Sequence, residues 1–214
     1  MIGECLSTYK LILWDFDGTL ADTLPVSVRI FNEIARDYKL KEIESPEKVR
    51  SLSFRQFLSD YNISLLKLPG LVRRFLRRQK EHITEVALFP KIGSILTHIR
   101  TKAVPQGILS SNHQDNIRAC LQHNDVEQLF EFVLGYPRLF GKAKMLRKLL
   151  RQYQLPSKEI LYIGDEVRDI QAARKVAIPV AAVTWGFNEP GLLEVERPDF
   201  LVHTPEDLLG IVAR

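Results

Sequence analysis

Four apolar residues, Leu11-Ile12-Leu13-Trp14, run straight into Asp15-Phe16-Asp17-Gly18-Thr19-Leu20, and this stretch constrains the chain more than any other. An unbroken apolar run of that length reads as a strand buried on both faces, as in a parallel sheet. Carboxylates at the end of such a strand are costly unless a metal or a hydrogen-bond network compensates them. Residues two apart on an extended strand point to the same side. Beyond the strand the backbone turns, and Gly18 supplies the freedom to turn sharply. Asp15 can therefore face a substrate while Asp17 stands nearby as an acid. A helix N-cap explains one Asp, but it needs neither the second carboxylate nor the apolar run.

After Leu20 the rhythm changes. From Pro25 to about Glu85 apolar residues recur at mixed three and four spacing (Val28, Ile30, Phe31, Ile34; then Phe54, Phe57, Leu58), which predicts helices and no strand. Ser45-Pro46-Glu47 reads as a helix start, with Ser as N-cap and Pro in the first turn. Leu68-Pro69-Gly70 reads as a break before another helix, Leu71 to about Val86. From Phe89 onward strand and helix alternate. Strands are predicted at Gln106–Ser111, Phe130–Leu134, Glu159–Gly164, Val180–Thr184 and Asp199–Val202. Helices are predicted at Ile92–Lys102, Asn116–His123, Lys142–Gln154, Val167–Val176 and Glu206–Val212. Such alternation predicts an α/β fold, a doubly wound parallel sheet with right-handed crossovers, whose ligands sit at the carboxyl ends of the strands. The expected organisation is a core of residues 1–20 and 89–214, with residues 21–88 an all-helical insert.

Three further signals fall at strand ends or helix starts. In Ile108-Leu109-Ser110-Ser111-Asn112 a hydroxyl at a strand end, with free amides opening the next helix, suits a phosphate oxygen. Ser-Asn after a strand is also an ordinary helix cap. Gly141-Lys142 places a cation at a helix start, against the helix dipole. Lys144 is the rival, but two residues on it faces another side of the helix, and Lys142 is favoured. In Ile160-Leu161-Tyr162-Ile163-Gly164-Asp165-Glu166-Val167-Arg168-Asp169 an apolar strand again ends in an Asp, with a second Asp one turn later. Hard oxygen ligands of this kind suit Mg²⁺. Asp169 reads either as a cap or as the holder of a metal-bound water.

Taken in order, strand-Asp-x-Asp, strand-Ser, Lys and strand-Gly-Asp-x-x-x-Asp resemble the four motifs of the haloacid dehalogenase superfamily, most of whose members are phosphatases. The resemblance runs from Lys10 to about Val183 outside the helical insert. It is to the subgroup with a helical cap between the first and second motifs, which includes phosphoglycolate phosphatases and β-phosphoglucomutase. The resemblance implies a Mg²⁺-dependent enzyme acting on a small phosphorylated substrate. It implies that Asp15 is the nucleophile, forming an aspartyl-phosphate, and a metal ligand. Asp17 is then the general acid/base, its backbone carbonyl also on the metal. Ser110 and Lys142, with Ser111 beside them, bind the phosphate, and Lys142 also neutralises the nucleophile. Asp165 is the remaining metal carboxylate, with Asp169 behind it. Two departures stand out: Ala143 follows the Lys where many relatives have Pro, and Ser110 replaces the commoner Thr. Neither removes a functional group.

The implied chemistry is physically coherent. A carboxylate attacking a phosphate dianion meets like-charge repulsion, which a divalent cation, a Lys and backbone amides offset. The leaving alkoxide needs a proton donor, a role for Asp17 if it is held protonated. A phosphomutase would share all four motifs, and a non-catalytic binding protein on the same fold is the reading from another class. A dehalogenase is disfavoured, because carbon–halide displacement does not need the acid that Asp17 supplies. Val183-Thr184-Trp185-Gly186-Phe187 ends near the expected site but reads as packing, with no catalytic role.

Composition sets the remaining expectations. Hydrophobic residues make up 45% and charged residues 26% of the 214, an ordinary globular balance. No apolar run approaches a membrane span, and Met1 to Lys10 lacks the pattern of a signal peptide. Cys5 and Cys120 show no metal or redox spacing, so the expected setting is cytoplasmic. The net charge of +4 is concentrated between Ala21 and Phe89, where 13 Lys and Arg face 9 Asp and Glu. The densest basic run, Arg73 to Lys80, has Arg73, Arg74, Arg77 and Arg78 on one helical face with no aromatic residue interleaved. It is therefore expected to be mainly a solubilising face, with steering of an anionic substrate as the alternative and no nucleic acid as partner.

Overall fold

In the computed structural model of this chain, which describes residues 9–137 and 141–212, six strands form one sheet. Cys5 lies outside those residues. The strands are β1 (Leu11–Trp14), β2 (Gln106–Ser110), β3 (Phe132–Gly135), β4 (Ile160–Gly164), β5 (Val180–Val183) and β6 (Phe200–Val202). Their order is β3-β2-β1-β4-β5-β6, and every neighbouring pair is parallel. The chain steps outward from β1 to β3, then crosses back to lay β4 against the free side of β1. The strand order reverses there, so the crevice beyond the carboxyl ends of β1 and β4 is where this architecture binds ligands.

The burial of β1 follows from its neighbours. Ile12 and Trp14 join one core, made with α5 (Ile92–Thr101), α6 (Gln114–His123) and α10 (Asp207–Val212). Leu11 and Leu13 point to the opposite face, into a second core with α7 (Lys142–Tyr153), α8 (Val167–Arg174) and α9 (Pro190–Val195). The period of two thus serves two apolar layers, which is why the strand carries no polar residue. Trp14 is fully buried and its indole N–H donates to Gln106 Oε1 at 3.2 Å. Gln106 in turn donates to the Leu96 carbonyl at 2.9 Å, so the buried amide is satisfied.

Between β1 and α5 lie α1 (Leu24–Tyr38), α2 (Pro46–Arg50), α3 (Phe54–Asp60) and α4 (Leu68–His82). They bury a cluster of their own, centred on Ile30, Ile34, Leu58, Tyr61 and Leu71. The block meets the core through two adjacent connections. Asp22 N donates to Ala87 O at 3.0 Å and Phe89 N to Leu20 O at 3.0 Å. Ser45 caps α2 and Ser53 opens α3 with a capping box to Gln56.

Helix α4 begins three residues before the expected Leu71. Leu68-Pro69-Gly70 is its first turn rather than a break. Pro belongs there because the N–H it lacks would have no helical partner in any case. The short helix α9 was not expected from the sequence. Its six residues are fewer than two turns, too few to display a helical period. No described helix is long and apolar enough to cross a membrane.

Candidate active site

The sheet brings Asp15, at the end of β1, beside Asp165, at the end of β4, and Asp169, in the first turn of α8. Each is buried, and each offers an oxygen lying within 4.8 Å of the others. Lys142, the first residue of α7, reaches into this group. Its Nζ donates to Asp15 Oδ2 at 2.8 Å and also to Asp169 Oδ1. Lys144 is exposed on the same helix, so the rivalry between the two lysines ends with Lys142.

Three carboxylates against one ammonium leave the pocket short of positive charge. Burial raises Asp15 to about 7, opposed by the Lys142 charge and reinforced by Asp169. Burial pushes Asp165 well above the usual carboxylate range, with Glu166, Asp169 and Asp15 adding to it. Burial alone would lower Lys142, but the charges of Asp15 and Asp169 outweigh it and hold its ammonium well above the ordinary value. A divalent cation would remove this imbalance, and the donor set is all oxygen, as Mg²⁺ prefers.

The carboxylates are held by contacts from distant parts of the chain. Thr19 Oγ1 donates to Asp165 Oδ1 at 2.7 Å, and Phe187 N donates to Asp165 Oδ2 at 2.7 Å. Trp185 Nε1 donates to Thr19 O at 3.1 Å, tying the same two segments together. Gly18, at φ +76°, and Gly186 permit this approach: a Cβ on either would fall within 2.3 Å of Asp165 Oδ2. The segment after β5, expected only to pack, thus supports Asp165 with a backbone amide. Asp169 accepts from Glu166 N at 3.1 Å as well as from Lys142, so both of its oxygens are engaged.

Asp17 stands apart from this cluster. Its carboxylate accepts from Asn112 Nδ2 at 3.0 and 3.2 Å and from Gln79 Nε2 at 3.0 Å. Burial raises its pKa, and the amides of Asn112 and Gln79 oppose the rise. No cation is among these contacts, in contrast to Asp15. Gln79 comes from α4, is 1% exposed, and its Oε1 has no hydrogen-bond partner among the described residues. The sequence suggested a site role for neither residue, and Asn112 read only as a possible helix cap. The available signal for Gln79 was its position one turn beyond Phe75 and Leu76, a polar residue on an apolar stripe.

Ser110 is buried at the end of β2, and its Oγ accepts from Asn112 N at 3.3 Å. Ser111 is half-buried. A niche of about 10 Å³ lies between Ser110, Ser111, Tyr136 and Lys142. Beyond it, a cavity of about 750 Å³ opens from Asp15, Asp17 and Ser111 into the helical block. All seven expected residues therefore converge on one end of the sheet.

Comparison with known proteins agrees with this geometry. Residues 12–183 match the family model described as haloacid dehalogenase-like hydrolase. The chain is 35% identical to a phosphoglycolate phosphatase of Synechococcus elongatus, over 96% of its own length and 98% of that protein. It is 22% identical to the pyrophosphatase PpaX of Oceanobacillus iheyensis, over 95% and 96% of the two chains. A haloacid dehalogenase-like hydrolase from Streptococcus pneumoniae superposes with a TM-score of 0.80 at 22% identity, covering 95% of this chain and 98% of that one. With its four motifs gathered at the carboxyl ends of β1, β2 and β4, the chain belongs to the haloacid dehalogenase-like hydrolases.

Proposed function

We propose that the protein is a Mg²⁺-dependent phosphatase that hydrolyses a phosphate monoester through a phosphorylated Asp15. One observation carries the reading. A single strand end presents two carboxylates in different settings, Asp15 paired with the Lys142 ammonium and Asp17 with the side-chain amides of Asn112 and Gln79. Burial raises both acids, but only Asp15 has an ammonium opposing the rise, which favours Asp15 as the nucleophilic carboxylate and Asp17 as the proton donor. The names of the Synechococcus and Oceanobacillus relatives support a phosphorylated substrate.

In the proposed reaction Asp15 Oδ attacks phosphorus, and the bond to the leaving alcohol breaks. Asp17 gives its proton to the departing oxygen. Water then attacks the phosphorus of the acyl phosphate, Asp17 takes a proton from it, the bond between phosphorus and Asp15 Oδ breaks, and inorganic phosphate leaves with Asp15 freed. Ser110, Ser111 and Lys142 bind the phosphoryl oxygens, Lys142 also favouring the ionised form of Asp15. Asp15, Asp165 and the Asp17 carbonyl would hold Mg²⁺, with Asp169 behind them oriented by Lys142 and the Glu166 amide. When bound, the ion supplies positive charge to the phosphoryl oxygens. The helical block, residues 21–88, acts as the cap. Acid-quenched enzyme should carry phosphate on Asp15, and Asp15→Asn should abolish turnover with the fold intact. Label on Ser110 instead would overturn the assignment.

A further inference from the structure

We infer that the ester's alcohol is bulky and apolar, and that it lodges in the cavity of the helical block during turnover. The inference rests on the phosphatase reading and names its substrate class. The cavity is continuous with the catalytic carboxylates, because Asp15 and Asp17 lie on its floor. Whatever is attached to a phosphate at Asp15 must therefore extend into it or past its mouth. Its volume of about 750 Å³ is in the range that encloses a ligand of drug size, far beyond a two-carbon acid.

The walls are apolar by construction. Phe31, Phe57 and Phe75 belong to the block's core cluster, yet each is only partly buried and lines the cavity. Phe31 and Phe57 lie with ring centroids 5.4 Å apart. A core aromatic left open on one side gains by covering that side with another apolar group. A small carboxylated ester finds the reverse. The cations on the lining are Arg55 and Arg168. Arg55 is exposed on α3, and Arg168 pairs with Glu166 and lies 5.4 Å from the Phe54 ring. A second carboxylate in the upper cavity would be desolvated against phenylalanine, with the Glu166 charge also lining it.

The test measures kcat/KM with Mg²⁺ for ethyl, butyl, hexyl and octyl phosphate, 1-naphthyl phosphate and phosphoglycolate. Each buried methylene should raise kcat/KM by up to about fourfold until the cavity is filled. Hexyl and naphthyl phosphate should exceed both ethyl phosphate and phosphoglycolate by about tenfold or more. Val72→Trp, which fills the wall beside Phe75, and Phe57→Arg, which charges it, should each flatten the series. A series independent of chain length, or a tenfold preference for phosphoglycolate over hexyl phosphate, would overturn the inference. So would a slope unchanged in both variants. Absence of turnover on every ester, with the fold intact, is a different result: it removes the phosphatase reading and this inference with it.

Discussion

At the level of single residues, two carboxylates separated by one phenylalanine behave differently because of what reaches them. Asp15 receives an ammonium at 2.8 Å, whereas Asp17 receives side-chain amides. If Asp17 delivers the proton, Asp17→Asn should reduce turnover of alkyl phosphates far more than that of p-nitrophenyl phosphate, whose leaving group needs little protonation. Equal losses on the two substrates would remove the acid role. Thr19 gives a second contrast, since it acts through another residue. Thr19→Val deletes the donor to Asp165 Oδ1 and keeps the side chain's shape. Mg²⁺ affinity should fall about tenfold to a hundredfold, the usual effect of removing a group that orients a ligand. Titration calorimetry measures it directly, and an unchanged affinity would show that the Phe187 amide alone suffices.

At the level of elements, strand ends were legible and cross-chain contacts were not. The apolar runs of β1 and β4 stop abruptly at charged residues, and that boundary is visible in any linear reading. Lys142 was legible for a similar reason, as a cation where the helix dipole disfavours one. Gln79, Asn112 and Thr19 act on partners 62, 95 and 146 residues away, and no local pattern encodes such pairings. The basic face of α4 was only half legible. Arg73 and Arg77 are exposed, but Arg74 and Arg78 turn toward α1. Arg78 pairs with Glu33 at 2.5 Å and Asp37 at 3.5 Å, and Arg74 lies 3.6 Å from Asp37 and over the Tyr38 ring. None of the four lines the cavity. Exposed pairs of this kind contribute on the order of 1 kcal/mol or less each. Arg74→Glu combined with Arg78→Glu should therefore lower Tm by a few degrees and leave kcat/KM within a few-fold. A hundredfold loss in kcat/KM with the fold intact would put this helix face in the path of the substrate.

At the level of the whole molecule, the sheet's strand order decides where charge accumulates. Because β1 and β4 are neighbours, their terminal carboxylates share one buried crevice, and α7 and α8 deliver Lys142 and Asp169 to it. The fold thus assembles an anionic pocket that protons neutralise in part and for which, in the proposed reading, Mg²⁺ would compete. Burial raises Asp15 to about 7 and Asp165 well above its ordinary value, so the metal-free pocket carries protons that a cation would have to displace. A carboxylate must lose its proton to ligate a cation. The sign follows: lowering pH below about 7 fills the site with protons and weakens metal binding. Apparent Mg²⁺ affinity should fall by up to about tenfold per pH unit from pH 7 downward, as Asp15 takes up its proton. If Mg²⁺ is the ion, the same competition would make it a stabiliser whose effect grows with pH, since a ligand that binds only the folded state stabilises it more as its occupancy rises. Thermal melts of chelated and Mg²⁺-loaded protein at pH 5.5 and pH 8 should show a larger Mg²⁺-induced rise in Tm at pH 8. Asp165→Asn should remove most of that difference. A Tm rise of equal size at both pH values would mean that the ion binds without displacing a proton, and that this crevice is not its site.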